Sequence, residues 1–189
     1  MRKTFKYRLY PTKAQAESLH VQLSEACRLY NAALQERIEA YATHRKSINY
    51  YEQANQLKEI RAAGHLGLAN YSCCQDVLRR LDQAFQAFFQ RVQRKQKAGF
   101  PRFKSQRRFD SMTFPSYGDG SKMQTSGHLY VQGVGNIKVK LHRPVHGKIK
   151  TVSVKRECEH WCGDLATAVA GIGSSRWYRR WVDLVRRAV

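Results

Sequence analysis

Acidic residues are scarce in this chain. Of its 189 residues, 14 are Asp or Glu and 34 are Lys or Arg, for a net charge of +20. Between Gln83 and Phe109 there is no acid at all. An excess of one sign this large opposes compaction unless a polyanion relieves it. Long apolar runs are lacking too. No stretch approaches the roughly 20 apolar residues that span a bilayer. The start, Met1-Arg2-Lys3-Thr4-Phe5-Lys6, has charge but no apolar run behind it, so no signal peptide is expected. These absences favour cytosolic nucleic acid over an anionic membrane.

Catalytic constellations are missing as well. The His residues stand apart from carboxylates, no Ser-His-Asp set is evident, and no glycine-rich phosphate loop occurs. The five cysteines are Cys27, Cys73, Cys74, Cys158 and Cys162. An odd number without a secretory signal points to reduced thiols. Cys158, His160 and Cys162 lie close together, but no second ligand pair follows, whereas a structural zinc takes four ligands. Neither a metal nor a cofactor is expected. Cys73 and Cys74 fall on different faces of a helix and read as packing residues. No internal repeat is present, and no Lys follows Lys155.

What is present has clear periodicity. Phe5, Tyr7 and Leu9 alternate with Lys6, Arg8 and Tyr10, the pattern of a half-buried strand that Pro11 stops. Thr12 and Gln15 make a capping-box signal. Leu19, Leu23, Ala26, Cys27, Tyr30, Leu34, Ile38 and Tyr41 then recur at helical spacing, which predicts a helix of about thirty residues. His44 to Ser47 is a turn. Asn49 and Glu52 open a second helix that ends at Gly64. Ser72 and Gln75 are expected to cap a third. Its stripe is Val77, Leu78, Leu81, Ala84, Phe85, Phe88, Phe89 and Val92, and all three phenylalanines are expected in the core. Gly99 and Pro101 are expected to end it.

From Ser111 the pattern becomes short strands. They are read at Met112 to Phe114, at Leu129 to Val131, at Ile137, Val139 and Leu141, and from about Lys148 to Arg156. Short strands punctuated by Gly, Pro, Asn and Ser are the signature of a small barrel or sandwich. The first strand has no partner among the helices, so it pairs with these, and the helices become an insertion.

The most informative run is Lys97-Ala98-Gly99-Phe100-Pro101-Arg102-Phe103-Lys104. Arg91, Arg94, Lys95, Lys97, Arg102, Lys104, Arg107 and Arg108 surround it without an acid, and Phe100, Phe103 and Phe109 alternate with them. Cations neutralise phosphates, and flat rings stack on bases or pack beneath a sugar. Phosphate contact is the expected role, because long side chains on a turn position a duplex without reading it. Lys138 with Lys140, and Lys6 with Arg8, each share a strand face and suit the same task.

Phe5-Lys6-Tyr7-Arg8-Leu9-Tyr10-Pro11-Thr12 resembles the start of TnpB (OrfB), the transposase-like protein of bacterial insertion sequences. Cys27-Arg28-Leu29-Tyr30-Asn31 resembles that family's first-helix signature, and Gln75-Asp76-Val77-Leu78 through Phe88-Phe89 its long helix. Gly99-Phe100-Pro101-Arg102-Phe103-Lys104 resembles its hallmark turn. Gly147 to Val152 and Lys155-Arg156-Glu157 resemble its last barrel strand. The resemblance covers about residues 1–161. It implies an α+β fold: a small wedge-type, OB-like β-barrel with an inserted three-helix recognition domain. On that scheme residues 1–11 are the first barrel strand, 12–98 the helical insertion and 99–162 the rest of the barrel, with an atypical tail at 163–189.

The resemblance also implies function. The family are RNA-guided DNA nucleases whose first half holds guide RNA and reads a short duplex beside the target. The implied partners are therefore guide RNA and duplex DNA. Tyr50, Gln53 and Gln75, at the starts of the second and third helices, would face that duplex, where Gln can read adenine. The family's second half is a RuvC-type nuclease with three acids on divalent metal, interrupted by a four-cysteine zinc ribbon. That half is expected to be absent here, as in a truncated or frameshifted product. Trp181-Val182-Asp183-Leu184-Val185 echoes the first nuclease strand without its glycines. Asp183 is the candidate remnant, and one carboxylate cannot hold two metal ions. The alternatives are a conventional helix-turn-helix-like DNA-binding module built from residues 12–45 and 49–63, and a decayed product without function.

Overall fold

The computed structural model describes residues 2–67, 70–158 and 160–168. Asp183, Trp177 and Trp181 lie outside the described residues, as does most of the tail. The fold is α+β. The strand β1 (Arg2–Tyr10) is followed by α1 (Lys13–His44), α2 (Tyr50–Ala62) and α3 (Tyr71–Gln93). Six strands follow: β2 (Ser111–Phe114), β3 (Ser121–Met123), β4 (His128–Val131), β5 (Gly135–Lys140), β6 (Lys148–Glu157) and β7 (His160–Ala168). They form one antiparallel sheet in the order β2-β6-β7-β1-β5-β4-β3. It curls as a half-barrel and stays open, because among the described residues no ladder joins β2 to β3.

The first strand does pair with the later ones, with β7 along Arg2–Leu9 and with β5 along Arg8–Tyr10. Phe5, Tyr7 and Leu9 are buried, while Lys6, Arg8 and Tyr10 are exposed, as the alternation requires. The inward side chains of the sheet and the apolar faces of the helices make one continuous core. Leu19, Leu23, Tyr30 and Leu34 contribute from α1, Leu57 from α2, and Cys73, Cys74, Val77, Leu78 and Leu81 from α3. The five cysteines are all free. Burial raises the Cys74 thiol to about 11 and that of Cys73 further still.

Both capping boxes form where the sequence places them. Gln15 donates its backbone N–H to Thr12 Oγ1 at 3.3 Å, and Thr12 N–H donates to Gln15 Oε1 at 3.0 Å. The Gln15 amide also donates to the Asn136 carbonyl at 2.9 Å, tying the start of α1 to β5. Asn49 and Glu52 cap α2 in the same way. Helix α3 differs. Its cap is Asn70, whose Oδ1 accepts from Ser72 N–H at 2.8 Å and Cys73 N–H at 3.2 Å, while the Ser72 hydroxyl bonds Asp119 instead. Ser72 is not the cap because the helix starts earlier, at Tyr71, and Ser72 falls inside the first turn.

Three further expectations need correction. Helix α3 ends at Gln93 rather than at Gly99, because Lys95 turns left-handed at φ 54. Leu141 falls beyond β5 and is exposed. Strands β3 and β7 are additional to those the sequence pattern marks. Strand β7 is central, yet its inward set is Trp161, Gly163, Leu165 and Thr167, too mixed to read as an alternation. Gly163 stands there because Leu9 and Leu129 occupy its side-chain space; a Cβ would sit 3.3 Å from Leu9 Cδ2.

Candidate nucleic-acid interface

Two surfaces carry the sequence-derived candidates. The first is the segment from the last turn of α3 to Phe109. Arg91, Arg94, Lys95, Lys97, Arg102, Lys104, Arg107 and Arg108 are all exposed. None of them is in an ion pair among the described residues, whereas Lys6, Arg37, Lys46, Arg80, Lys155 and Arg156 all are. Cations left unpaired on one acid-free stretch make a field that attracts a polyanion.

This segment has little regular structure, yet α1 and β6 hold it. The Asn31 amide bonds both backbone groups of Lys104, and Cys27 Sγ reaches the Lys104 carbonyl at 3.2 Å. The Lys104 ammonium lies over the Tyr30 ring, 5.2 Å from its centroid. Gln106 donates to Ser24 Oγ at 2.9 Å. Arg156 of β6 donates to the Gln106 carbonyl at 3.0 Å and to Asp110 Oδ1 at 2.9 Å. Sequence reasoning finds the cations and misses these fasteners. Asn31 stands inside the first-helix signature, but a polar side chain reaching 73 residues along the chain leaves no periodic trace.

Phe109 is not accessible to a ligand. It is buried against Tyr30, with ring centroids 6.3 Å apart. Phe100 and Phe103 are exposed at 47% and 53%. The core assignment of Phe85, Phe88 and Phe89 also needs correction: Phe85 and Phe88 are only partly buried, and Phe89 is 52% exposed. The reason is that fully buried positions on α3 stop at Leu81, beyond which neighbouring elements no longer cover the helix.

The second surface is the outer face of the sheet. Arg8 and Lys140 are direct partners across β1 and β5, and Lys138 stands opposite Tyr10 and His128. Like charges directly opposed on one face destabilise a sheet. Arg8 meets His160 Nδ1 at 2.9 Å and lies over Tyr10 at 5.4 Å. Lys6 is engaged otherwise, in a hydrogen-bonded ion pair with Glu157 that raises its own pKa. Lys6 and Lys155 together hold the Glu157 carboxyl down to about 2. Arg8, Lys138 and Lys140, by contrast, are in no ion pair among the described residues.

The helix-start candidates differ in exposure and in partners. Tyr50 is half-buried, with the Arg79 guanidinium 5.4 Å from its ring centroid. Gln75 is half-buried. Gln53 is buried between helices: its amide donates to the Ala33 carbonyl at 2.8 Å and to Glu36, and its oxygen accepts from Arg37 Nε at 2.8 Å. With donor and acceptor both committed, it has nothing left for a base.

No helix among the described residues is long and apolar enough to cross a membrane. Nor do three His, Cys, Asp or Glu come together among them in a group that could hold a metal ion.

A helix-turn-helix domain of the OrfB insertion-sequence type matches residues 1–46, which here are β1 and the single long helix α1. The chain is similar to the candidate RNA-guided DNA endonuclease InsQ of Escherichia coli (strain K12), with 29% identity over 162 residues, 83% of this chain and 38% of that protein. It is also similar to a candidate RNA-guided DNA endonuclease of Streptomyces pristinaespiralis, with 31% identity over 111 residues, 57% of this chain and 26% of that one. It therefore spans well under half the length of these relatives. A solved Cas12f1 complex with guide RNA and target DNA superposes over 89% of this chain and 48% of that one, at 14% identity and a TM-score of 0.48, too loosely to argue from. The matched domain and the two relatives make the chain similar to the TnpB-like (OrfB) proteins of insertion sequences.

Proposed function

We propose that this chain binds structured guide RNA and the duplex beside a DNA target, mostly through phosphates. One observation carries the reading: eight exposed cations, Arg91 to Arg108, stand without an acid among them, on a segment that Asn31, Gln106 and Arg156 fasten to the fold. Counterion release then supplies affinity, and the fasteners keep that affinity in one place. The sheet serves as the wedge, with Arg8 and Lys140 as a second phosphate contact. The relatives' names supply the RNA and the DNA. The chain acts in binding rather than in cleavage. Cleavage by the purified chain with magnesium, abolished by Asp183→Ala, would overturn that part.

The test is to express the chain in a bacterium and sequence the RNA that co-purifies after a high-salt wash. One discrete transcript is expected. A random smear lost by about 0.5 M salt means generic phosphate attraction only, and sinks the guide-RNA reading. Tight, RNA-independent preference for one duplex sequence would instead support a conventional DNA-binding module.

A further inference from the structure

We infer that Phe88, Phe89 and Phe100 form a stacking platform for unpaired bases of a single-stranded nucleic acid. The inference rests on the reading of residues 91–108 as a nucleic-acid contact surface and adds a different chemistry to it.

Phe85, Phe88, Phe89 and Val92 recur at helical spacing on one face of α3. Elsewhere such a stripe is covered, and here it is not: Phe89 and Val92 are 52% and 50% exposed. The left-handed turn at Lys95 sends the chain back, so that Phe100 meets the same rings. Its centroid lies 5.5 Å from Phe85 at 90° and 5.3 Å from Phe88 at 78°. Phe88 and Phe89 are 5.2 Å apart at 64°. These are edge-to-face contacts. They fix the rings against one another without burying Phe89 or Phe100.

Exposed apolar patches of this kind mark interaction sites. Charge selects the occupant. Arg91, Arg94, Lys97 and Arg102 flank the rings, and no acid lies between Gln83 and Phe109. A polyanion with flat apolar faces satisfies both features. A duplex keeps its base faces stacked inside, whereas a single strand offers them together with its phosphates.

The test measures binding of the full chain to a labelled 12-nucleotide oligo(dT) and to a 12-base-pair duplex at one salt concentration. Phe89→Ala is expected to weaken oligo(dT) binding about tenfold, the loss of one base stack, and to leave the duplex unchanged. Phe89→Leu, which keeps apolar area but no π-face, behaves like Phe89→Ala. Arg94→Ala with Lys97→Ala weakens both ligands. Phe89→Trp keeps the affinity, and oligo(dT) quenches its emission beyond the background of the native tryptophans; this readout decides the matter if Phe89→Ala fails to fold. Oligo(dT) binding unchanged in Phe89→Ala, equal losses for both ligands, a Leu variant as good as the native chain, or an unquenched Trp each overturns the platform while the phosphate surface stands. A native chain that binds neither ligand overturns both.

Discussion

Asn31 holds Lys104 by both of its backbone groups: the Asn31 Nδ2 donates to the Lys104 carbonyl at 2.8 Å, and its Oδ1 accepts from the Lys104 N–H at 2.9 Å. One side chain thus mimics a strand partner and fixes the middle of the basic segment on α1. Asn31→Ala is expected to cost about 1–2 kcal/mol, two modest hydrogen bonds. It should also speed amide exchange at Lys104 by NMR. Asn31→Asp keeps the acceptor, so exchange there stays slower than in Asn31→Ala. Equal rates in the two variants would show that the N–H bond does not form.

The unpaired cations make a separate prediction about salt. Replacing Arg94, Lys97 and Arg102 by Ala together should flatten the slope of log affinity against log salt by about 2–3, nearly one for each phosphate no longer neutralised. Thermal unfolding should barely change, because all three are exposed and without ion-pair partners among the described residues.

Gln53→Ala should act through stability instead. It strips the buried Arg37 of its Nε acceptor, and Arg37 Nη2 already has no hydrogen-bond partner among the described residues. A loss of about 1–3 kcal/mol follows from buried groups left unsatisfied. The folded fraction should bind duplex DNA as before. Full stability with reduced affinity would return Gln53 to the groove-reading role that the sequence suggests.

Asp164 makes the acid-side prediction. Burial pushes its carboxyl above the usual range, with Lys6 opposing this and Glu157 adding to it, and its Oδ1 has no hydrogen-bond partner among the described residues. A carboxyl raised in the folded state contributes its stability below the unfolded value of 3.8 and loses it as pH rises through the folded value. Asp164→Asn should therefore raise the melting temperature at pH 7 and do little at pH 3. A larger gain at pH 3 than at pH 7 would contradict the sign.

Gly120 guards the cap of α3. Its φ is +76°, and a Cβ there would lie 2.5 Å from Asn70 Nδ2. Gly120→Ala should cost about 2 kcal/mol or more, from a strained left-handed residue and a displaced cap. A melt superimposable on the native one would show that Asn70 has room to yield.

The elements were unevenly legible in the sequence, for physical reasons. Helix α1 announces itself through about nine turns of periodicity and a local capping box, and both are present in the fold. β1 is readable because one face is wet. β7 is not, since Trp161, Cys162 and Leu165 are buried on a strand that also carries Gly163 and Thr167. The cations of the interface are legible as composition. Their immobilisation by Asn31, Ser24 and Arg156 is not, because those contacts join residues 50 to 82 positions apart. Gln53 misleads for a related reason: a polar residue at a helix start reads as exposed unless its distant partners are known.

The sheet order has a consequence for how the chain is made. β1 leaves the ribosome well before β7, the strand it pairs with along most of its length, with Arg2 opposite Ala168. At roughly 5–20 residues per second, translation keeps that partner absent for roughly ten to thirty seconds. Meanwhile the helices, whose hydrogen bonds are local, can form on the emerging chain. Phe5, Tyr7 and Leu9 then wait as an unpaired apolar edge, the kind of strand that seeks a neighbour in another molecule. The nine residues of β1 are therefore the edge that a holding chaperone would have most reason to cover.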